Sequence, residues 1–377
     1  MSPAPGQDVV EILQALVRIP SVNPLAHPAP GEGGERRCAE AVAEYLTALG
    51  AQEISLPMVL PERPNVLARM PIDRPGKPRL LLAPHLDTVG VSGMTVAPFA
   101  AEVRDEKIWG RGATDTKGTM SAMLRALYEL REVIPTLDHE IWFAGLMGEE
   151  AGNEGAAWIV SSGFRADFAL IGEPTSCDIL YAHKGATWLR LITRGKAAHA
   201  AEPQRGENAI YKMADVARAV RDQLCPALAS QPDALLGAAT ASLGVVSGGR
   251  KINVVPDCCQ AELDLRTLPN QQGDDFLAEV TSLLRHACRD LEVELMRRHP
   301  PMFTDPNHPM MERFTRVGAK LITASWFCDG SLLSQAGIPS VAAGPGSIAQ
   351  AHVVDEFIEI AELRRGVEFY KAFLCQC

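Results

Sequence analysis

Four apolar runs of this chain end on side chains able to hold a metal ion or move a proton. Leu80-Leu81-Leu82-Ala83-Pro84 leads into His85-Leu86-Asp87, and Ile141–Met147 leads into Gly148-Glu149-Glu150. Phe168-Ala169-Leu170-Ile171 leads into Gly172-Glu173, and the run before Gly344-Pro345-Gly346 reaches His352 after a short loop. A further acid, Asp115, lies in the glycine-rich turn Gly110–Asp115, just ahead of a helical pattern. Each alone reads as a solvated acid or a satisfied histidine. Burying so many carboxylates together without a cation would be costly, so either they are exposed or a metal is present. Two imidazoles among carboxylates suit Zn²⁺ or Co²⁺ better than Ca²⁺ or Mg²⁺. Five ligating residues exceed one tetrahedral site and fit two ions about 3.5–4 Å apart sharing a carboxylate. Asp87, two residues from His85 on an extended segment, can accept a hydrogen bond from the imidazole and fix its tautomer. Adjacent Glu149 and Glu150 point different ways, so that one can ligate while the other faces the water between the ions. The alternative for that pair is a solvated acidic loop.

These side chains need elements that bring them to one edge. Strand-like apolar runs alternate with helical patterns at Val9–Arg18, Gly34–Gly50, Lys117–Val133, Gly155–Ser162 and Ile358–Phe373. Strands buried on both faces and separated by helices predict an α/β fold with a helix-covered, mostly parallel sheet, whose site lies beyond the carboxyl ends of the strands. The middle of the chain reads differently, with strands at Thr187–Arg194, Ala239–Val246, Gln260–Leu268 and Leu291–Arg298 and helices at Glu207–Leu224 and Asp274–Asp290. That βαββαβ order predicts an inserted ferredoxin-like domain. The expected division is residues 1–182 with 300–377 for the metal-binding domain and residues 183–299 for the insert.

Composition bounds the partners. A net charge of −10 over 377 residues argues against nucleic acid or an anionic membrane as the main partner. No run of some 18 apolar residues is present, and Met1–Gln7 lacks the pattern of a secretory signal. Nine cysteines without repeating spacing read as reduced thiols, which predicts a cytoplasmic protein.

The ordered set of motifs resembles the co-catalytic zinc amidohydrolases and exopeptidases that include acetylornithine deacetylase, succinyl-diaminopimelate desuccinylase, aminoacylase and glutamate carboxypeptidase. The segments that carry the likeness are Pro84–Val89, Trp109–Gly118, Gly148–Glu150, Gly172–Thr175 and Gly344–His352. The resemblance implies two zinc ions per subunit, with cobalt able to substitute. His85 and Glu173 would hold one ion, Glu150 and His352 the other, and Asp115 would bridge, followed by a cis peptide to Thr116. It implies Glu149 as general base, taking a proton from activated water and returning it to the leaving amine, and Asp87 as the residue that orients His85. The insert resembles the family's lid, which mediates a homodimer. Gly195–Pro203 matches a segment whose histidine, here His199, reaches the neighbouring subunit's site. Ile252–Asp257 and Asp264-Leu265-Arg266 match segments whose Asn and Arg, here Asn253 and Arg266, grip a substrate carboxylate. Residue types alone would leave His199 on a surface loop and pair Arg266 with Asp264.

Several features sit outside those assignments. His183-Lys184-Gly185 reads as a hinge, and His139, His286, His299 and His308 read as surface residues. By family position Cys328-Asp329-Gly330-Ser331 is a turn near the substrate, where Trp326-Phe327-Cys328 departs from the usual pattern. The activity expected is hydrolysis of the amide bond of a small N-acyl amino acid, closest to acetylornithine deacetylase. A succinyl-diaminopimelate desuccinylase or a glutamate carboxypeptidase or dipeptidase is the alternative. A metal-binding scaffold without catalysis is a remoter one, since no ligand and no general base is missing.

Overall fold

The computed structural model describes residues 2–24, 34–271 and 273–377. The elements that matter here begin with α1 (Val9–Val17), α2 (Arg36–Ala48), β1 (Gln52–Ser55), β2 (Val66–Arg69) and β3 (Arg79–Pro84). Next come α3 (Lys117–Glu129), β4 (Glu140–Gly145), α4 (Glu154–Ser161), β5 (Phe168–Gly172), β6 (Ile179–His183) and β7 (Gly185–Arg194). Then follow α5 (Ala209–Ala219), β8 (Thr240–Gly248), β9 (Cys258–Thr267), α6 (Gly273–Ala287) and β10 (Glu292–His299). The chain ends with α7 (Gly330–Gln335), β11 (Ser340–Ala342) and α8 (Ile360–Leu374). No helix among the described residues is long and apolar enough to cross a membrane.

Two compact units emerge. One comprises Met1–Tyr181, Thr304–Ile322 and Cys328–Cys377, and the other Ala182–Phe303 with Thr323–Phe327. In the first unit the sheet runs β1-β2-β4-β3-β5-β11-β6. Its centre is parallel, with Leu81 opposite Trp142 and Ala169, and Leu170 opposite Val341. Its flanks are antiparallel, at β1 with β2, β2 with β4, and β11 with β6. Leu80, Leu82, Phe143 and Leu170 are fully buried, as strands covered on both faces must be. The short strands β1 and β2 were not expected. Gln52, Glu53 and Ser55 are exposed or half-exposed polar residues of a four-residue strand, so they leave no alternating pattern to read.

Helix α3 carries its first turn onto the carboxyl edge of this sheet, and small residues make that approach possible. A Cβ on Gly118 would lie 2.4 Å from the Ala113 carbonyl oxygen, and one on Gly344 would lie 2.6 Å from Thr119 Oγ1. Substitution at either would push the glycine-rich turn or the helix away from the edge where Asp115 sits.

The second unit is a four-stranded antiparallel sheet in the order β8-β9-β7-β10, with the chain order β7-α5-β8-β9-α6-β10. Leu189, Leu191, Leu263 and Leu265 from the sheet pack with Met213, Val216, Val280 and Leu284 from the helices. The expected continuous helix over Glu207–Leu224 instead ends as α5 at Ala219 and passes through a π-helical turn, Val220–Leu224. His183 and His299 are buried, which corrects the surface reading of His299. The His299 ring stacks on Phe327 with 4.2 Å between centroids and lies 6.3 Å from Trp188, so its apolar faces are covered by aromatic neighbours. Burial pushes both imidazoles down to about 4.

Candidate metal centre

Every ligand expected from the sequence sits at the carboxyl edge of the parallel strands or in a loop beside it. His85 follows β3, Glu150 follows β4, and Glu173 follows β5. Asp115 precedes α3, and the Asp115–Thr116 peptide is cis, as the resemblance implied. His352 lies beyond β11 with φ of 61°, an unusual conformation for a non-glycine residue and one that tends to mark functional loops.

Among the described residues, potential ligand atoms fall into two groups, His85–Asp115–Glu173 and Asp115–Glu150–His352, each with its atoms within 4.8 Å of one another. Asp115 belongs to both. Its Oδ1 lies 3.0 Å from His85 Nε2, and its Oδ2 lies 3.5 Å from His352 Nε2. His352 Nε2 is also 2.8 Å from Glu150 Oε2. One carboxylate therefore faces two imidazoles with its two oxygens, the arrangement a bridging ligand needs.

Asp87 does more than the sequence indicated. Its main-chain carbonyl is the nearer acceptor for His85 Nδ1 at 3.0 Å, with the carboxylate Oδ1 at 3.5 Å. This leaves Nε2 free toward Asp115. The Asp87 carboxylate accepts the backbone N–H of Glu149 at 3.1 Å and of Glu150 at 3.0 Å, and the side-chain amide of Asn23 at 2.8 Å. Asp87 thus ties the loop carrying both glutamates to the strand carrying His85. Asn23 lies in the turn-rich Pro20–Pro24 stretch, where a single sequence offers no sign of such a role.

The electrostatics follow from the crowding of buried carboxylates. Burial and the charge of Glu173 push the Glu149 carboxyl well above its usual range. Burial and the Asp115 charge push Glu150 up to about 7 and raise Glu173 strongly. Burial also lifts Asp329 to about 7, although Asn153 Nδ2 donates to its Oδ1 at 2.8 Å. For His85, burial alone would favour the neutral ring, but the hydrogen bonds to Asp115 and Asp87 outweigh it and favour the cation. Glu150 Oε1 and Glu173 Oε1 are buried without a hydrogen-bond partner. Crowded carboxylates with unpartnered oxygens and two imidazoles form a donor set that fits divalent cations.

A stability prediction follows, with its sign fixed by those shifts. Glu149, Glu150 and Glu173 have folded-state values above the ordinary 4.5, so the metal-free fold takes up protons relative to the unfolded chain. The stability they contribute is complete below about 4.5 and is lost as pH rises through 7 and beyond. His85 and His352 are also raised and act in the same direction from 6.5 upward. Asp87 is lowered from 3.8, so its contribution changes only in more acid solution. Chelator-treated protein is expected to melt at a lower temperature at pH 8 than at pH 6. Added Zn²⁺ should reverse this, by about 2.7 kcal/mol when free metal reaches a hundredfold its dissociation constant. Thermal denaturation at the two pH values checks it, and a metal-free melting temperature that rises with pH contradicts it.

The three residues expected to contact substrate lie in the second unit. His199 and Asn253 are both exposed and sit on neighbouring segments, since His199 bridges Val254 and the Ala200 N–H donates to the Asn253 carbonyl at 3.1 Å. Arg266 is half-buried, and its fork closes on Asp264 with Nε and Nη2 each 3.0 Å from a carboxylate oxygen. A substrate carboxylate would have to share or displace that partner.

Residues 81–376 match the model of the Peptidase family M20/M25/M40. The chain is 30% identical over 367 residues to acetylornithine deacetylase from Proteus mirabilis, covering 93% of this chain and 92% of that protein. It is 26% identical over 371 residues to a probable succinyl-diaminopimelate desuccinylase from Staphylococcus epidermidis, covering 88% and 91% respectively. Its fold matches the crystal structure of an M20 family metallo-carboxypeptidase from Sulfolobus solfataricus with a TM-score of 0.80 at 21% identity, over 98% of both chains. With the family match spanning residues 81–376, most of the chain and all five clustered histidine and carboxylate residues, the protein belongs to the M20/M25/M40 family of metal-dependent hydrolases.

Proposed function

We propose that the chain hydrolyses the amide bond of a small N-acyl amino acid, in the manner of an acetylornithine deacetylase. One observation carries the chemistry: Asp115 is shared by two three-residue groups of ligating atoms. Two Zn²⁺ ions in those groups, with Co²⁺ able to replace them, would polarise the amide carbonyl and make water acidic enough to act as a nucleophile near neutral pH. Glu149 belongs to neither group, and burial beside Glu173 gives its carboxylate a high affinity for a proton. It accepts the proton from the attacking water and delivers it to the leaving nitrogen. Asp87 holds Glu149 in place through its backbone N–H. Whole-length similarity to acetylornithine deacetylase favours an acetyl group on the substrate, and the likeness to a probable desuccinylase supports succinyl as the second reading.

The second unit is proposed as a ferredoxin-like lid and dimerisation domain. In support, Ile252, Val246, Tyr211 and Val245 are exposed apolar or aromatic residues on it, with β8 at the sheet edge. A second copy of the chain would cover them. None of the nine cysteines forms a disulfide, which fits a reducing, cytoplasmic setting.

Amine release from N-acetyl and N-succinyl amino acids and from dipeptides, with Zn²⁺ or Co²⁺ supplied, tests the substrate class. N-acetylornithine and related N-acetyl amino acids are expected to turn over fastest. Faster cleavage of N-succinyl substrates selects the second reading, and absence of cleavage across the panel rejects the deacylase reading.

A further inference from the structure

Beyond the ligands, one buried carboxylate is saturated with donors from the loop that carries Asp115. Glu356 is 1% exposed. Its oxygens accept the backbone N–H groups of Gly112 at 2.9 Å, Thr114 at 2.7 Å and Asp115 at 2.9 Å, and Arg111 Nη1 at 2.9 Å. A carboxylate has about four acceptor positions, so these donors use its whole capacity. Arg111 reaches onward, donating from Nη2 to the Val353 carbonyl at 3.1 Å and from Nε to the Gly90 carbonyl at 3.0 Å. The Gly110 N–H donates to the Glu356 carbonyl at 3.0 Å, and Thr114 Oγ1 donates to the Phe357 carbonyl at 2.6 Å. The bridging carboxylate's loop, residues 110–115, is therefore bonded along its length to residues 353–357, which directly follow His352.

The two ligand groups depend on this junction unequally. His85 and Glu173 stand at the ends of β3 and β5, strands paired on both sides in the middle of the sheet, so only Asp115 of that group comes from the junction. In the other group both Asp115 and His352 come from it. His352 has a side chain 59% exposed and a φ of 61°, and the Arg111 bond to Val353 anchors the very next residue. We propose that Arg111 and Glu356 form a positioning clamp that joins the Asp115 loop to the His352 loop and sets how firmly the Asp115–Glu150–His352 group holds its ion. The proposal rests on the two-ion reading above.

Glu356→Gln keeps the side chain's volume but turns an N–H toward backbone donors. Arg111→Lys keeps the charge but loses the fork that spans Glu356, Val353 and Gly90. Circular dichroism establishes that each variant folds, and calorimetric titration of metal-free protein with Zn²⁺ then reads each binding step. Wild type is expected to bind in two steps. In both variants one of the two steps should fall by about 10–100-fold, the usual effect of removing a partner of a metal ligand, with the other unchanged. Turnover at limiting Zn²⁺ should fall and recover at excess Zn²⁺. Folded variants that titrate like wild type overturn the clamp and leave the two-ion reading standing. Equal weakening of both steps also overturns it. Wild-type protein that binds no divalent ion overturns the two-ion reading itself, and the clamp with it. If Glu356→Gln fails to fold, Arg111→Lys decides by the same outcomes.

Discussion

Glu149→Ala is expected to keep both ions and still lose turnover by about 10²–10⁴-fold, the range for removing a general base. The structure separates this glutamate from its neighbour by what each carboxyl faces. Glu150 Oε2 lies 2.8 Å from His352 Nε2 within a group of three ligating residues, and the Glu150 side chain is 3% exposed. Glu149 belongs to no such group, although Glu173 is close enough to raise its proton affinity. Both backbone N–H groups bond to the Asp87 carboxylate, so truncating either side chain leaves the loop's anchor intact. Glu150→Ala should therefore lose one ion, and its activity should fall as a consequence and recover in part with excess Zn²⁺. Metal excess should not rescue Glu149→Ala. Elemental analysis of the two variants purified side by side decides the matter. Loss of an ion from Glu149→Ala and retention of both by Glu150→Ala would reverse the two roles.

His199→Ala should also abolish most activity without touching metal content, and its defect should be repairable by a different inactive chain. The expectation comes from the proposed dimer, in which His199 serves the partner's site. Within its own unit His199 is exposed, and its Nδ1 accepts the Ala201 N–H at 3.1 Å, so Nε2 is left pointing outward from that bond. Mixing His199→Ala with Glu149→Ala creates hybrids in which one site regains Glu149 from one chain and His199 from the other. Random exchange makes half the dimers hybrid with one working site each, so about a quarter of wild-type activity should return. Demonstrated subunit exchange with no recovery contradicts the role across the dimer. Activity in a monomeric variant does so as well.

The parallel strands and the candidate ligands at their ends were legible because burial on both faces leaves continuous apolar runs, and each run stops at a residue that can do chemistry. Arg79–Pro84 is a strand over the span expected, and His85 follows it. The residues that hold the ligands in place were not legible. Glu356 follows Asp355, and an Asp-Glu pair after a loop reads as solvated surface; only the fold brings four donors onto it. Asn23 and Asn153 are likewise ordinary turn residues until their amides meet Asp87 and Asp329. The Asp87 carboxylate accepts mainly from the glutamate loop, a contact across 62 residues of chain that spacing along a strand does not disclose. His299 was misread because a histidine ending a strand looks exposed, whereas Phe327, remote in sequence, covers its ring.

The most direct test of two-ion amide hydrolysis is activity as a function of Zn²⁺ returned to chelator-stripped protein, with the best substrate of the N-acyl panel. Stripped protein should be inactive, and activity should rise with added Zn²⁺ and saturate once two ions are bound per chain. Asp115→Ala should fail to recover at any Zn²⁺ concentration that restores wild type, because its carboxylate belongs to both ligand groups. Full activity in stripped protein, or recovery by Asp115→Ala equal to wild type, would contradict a bridged pair of ions as the seat of catalysis.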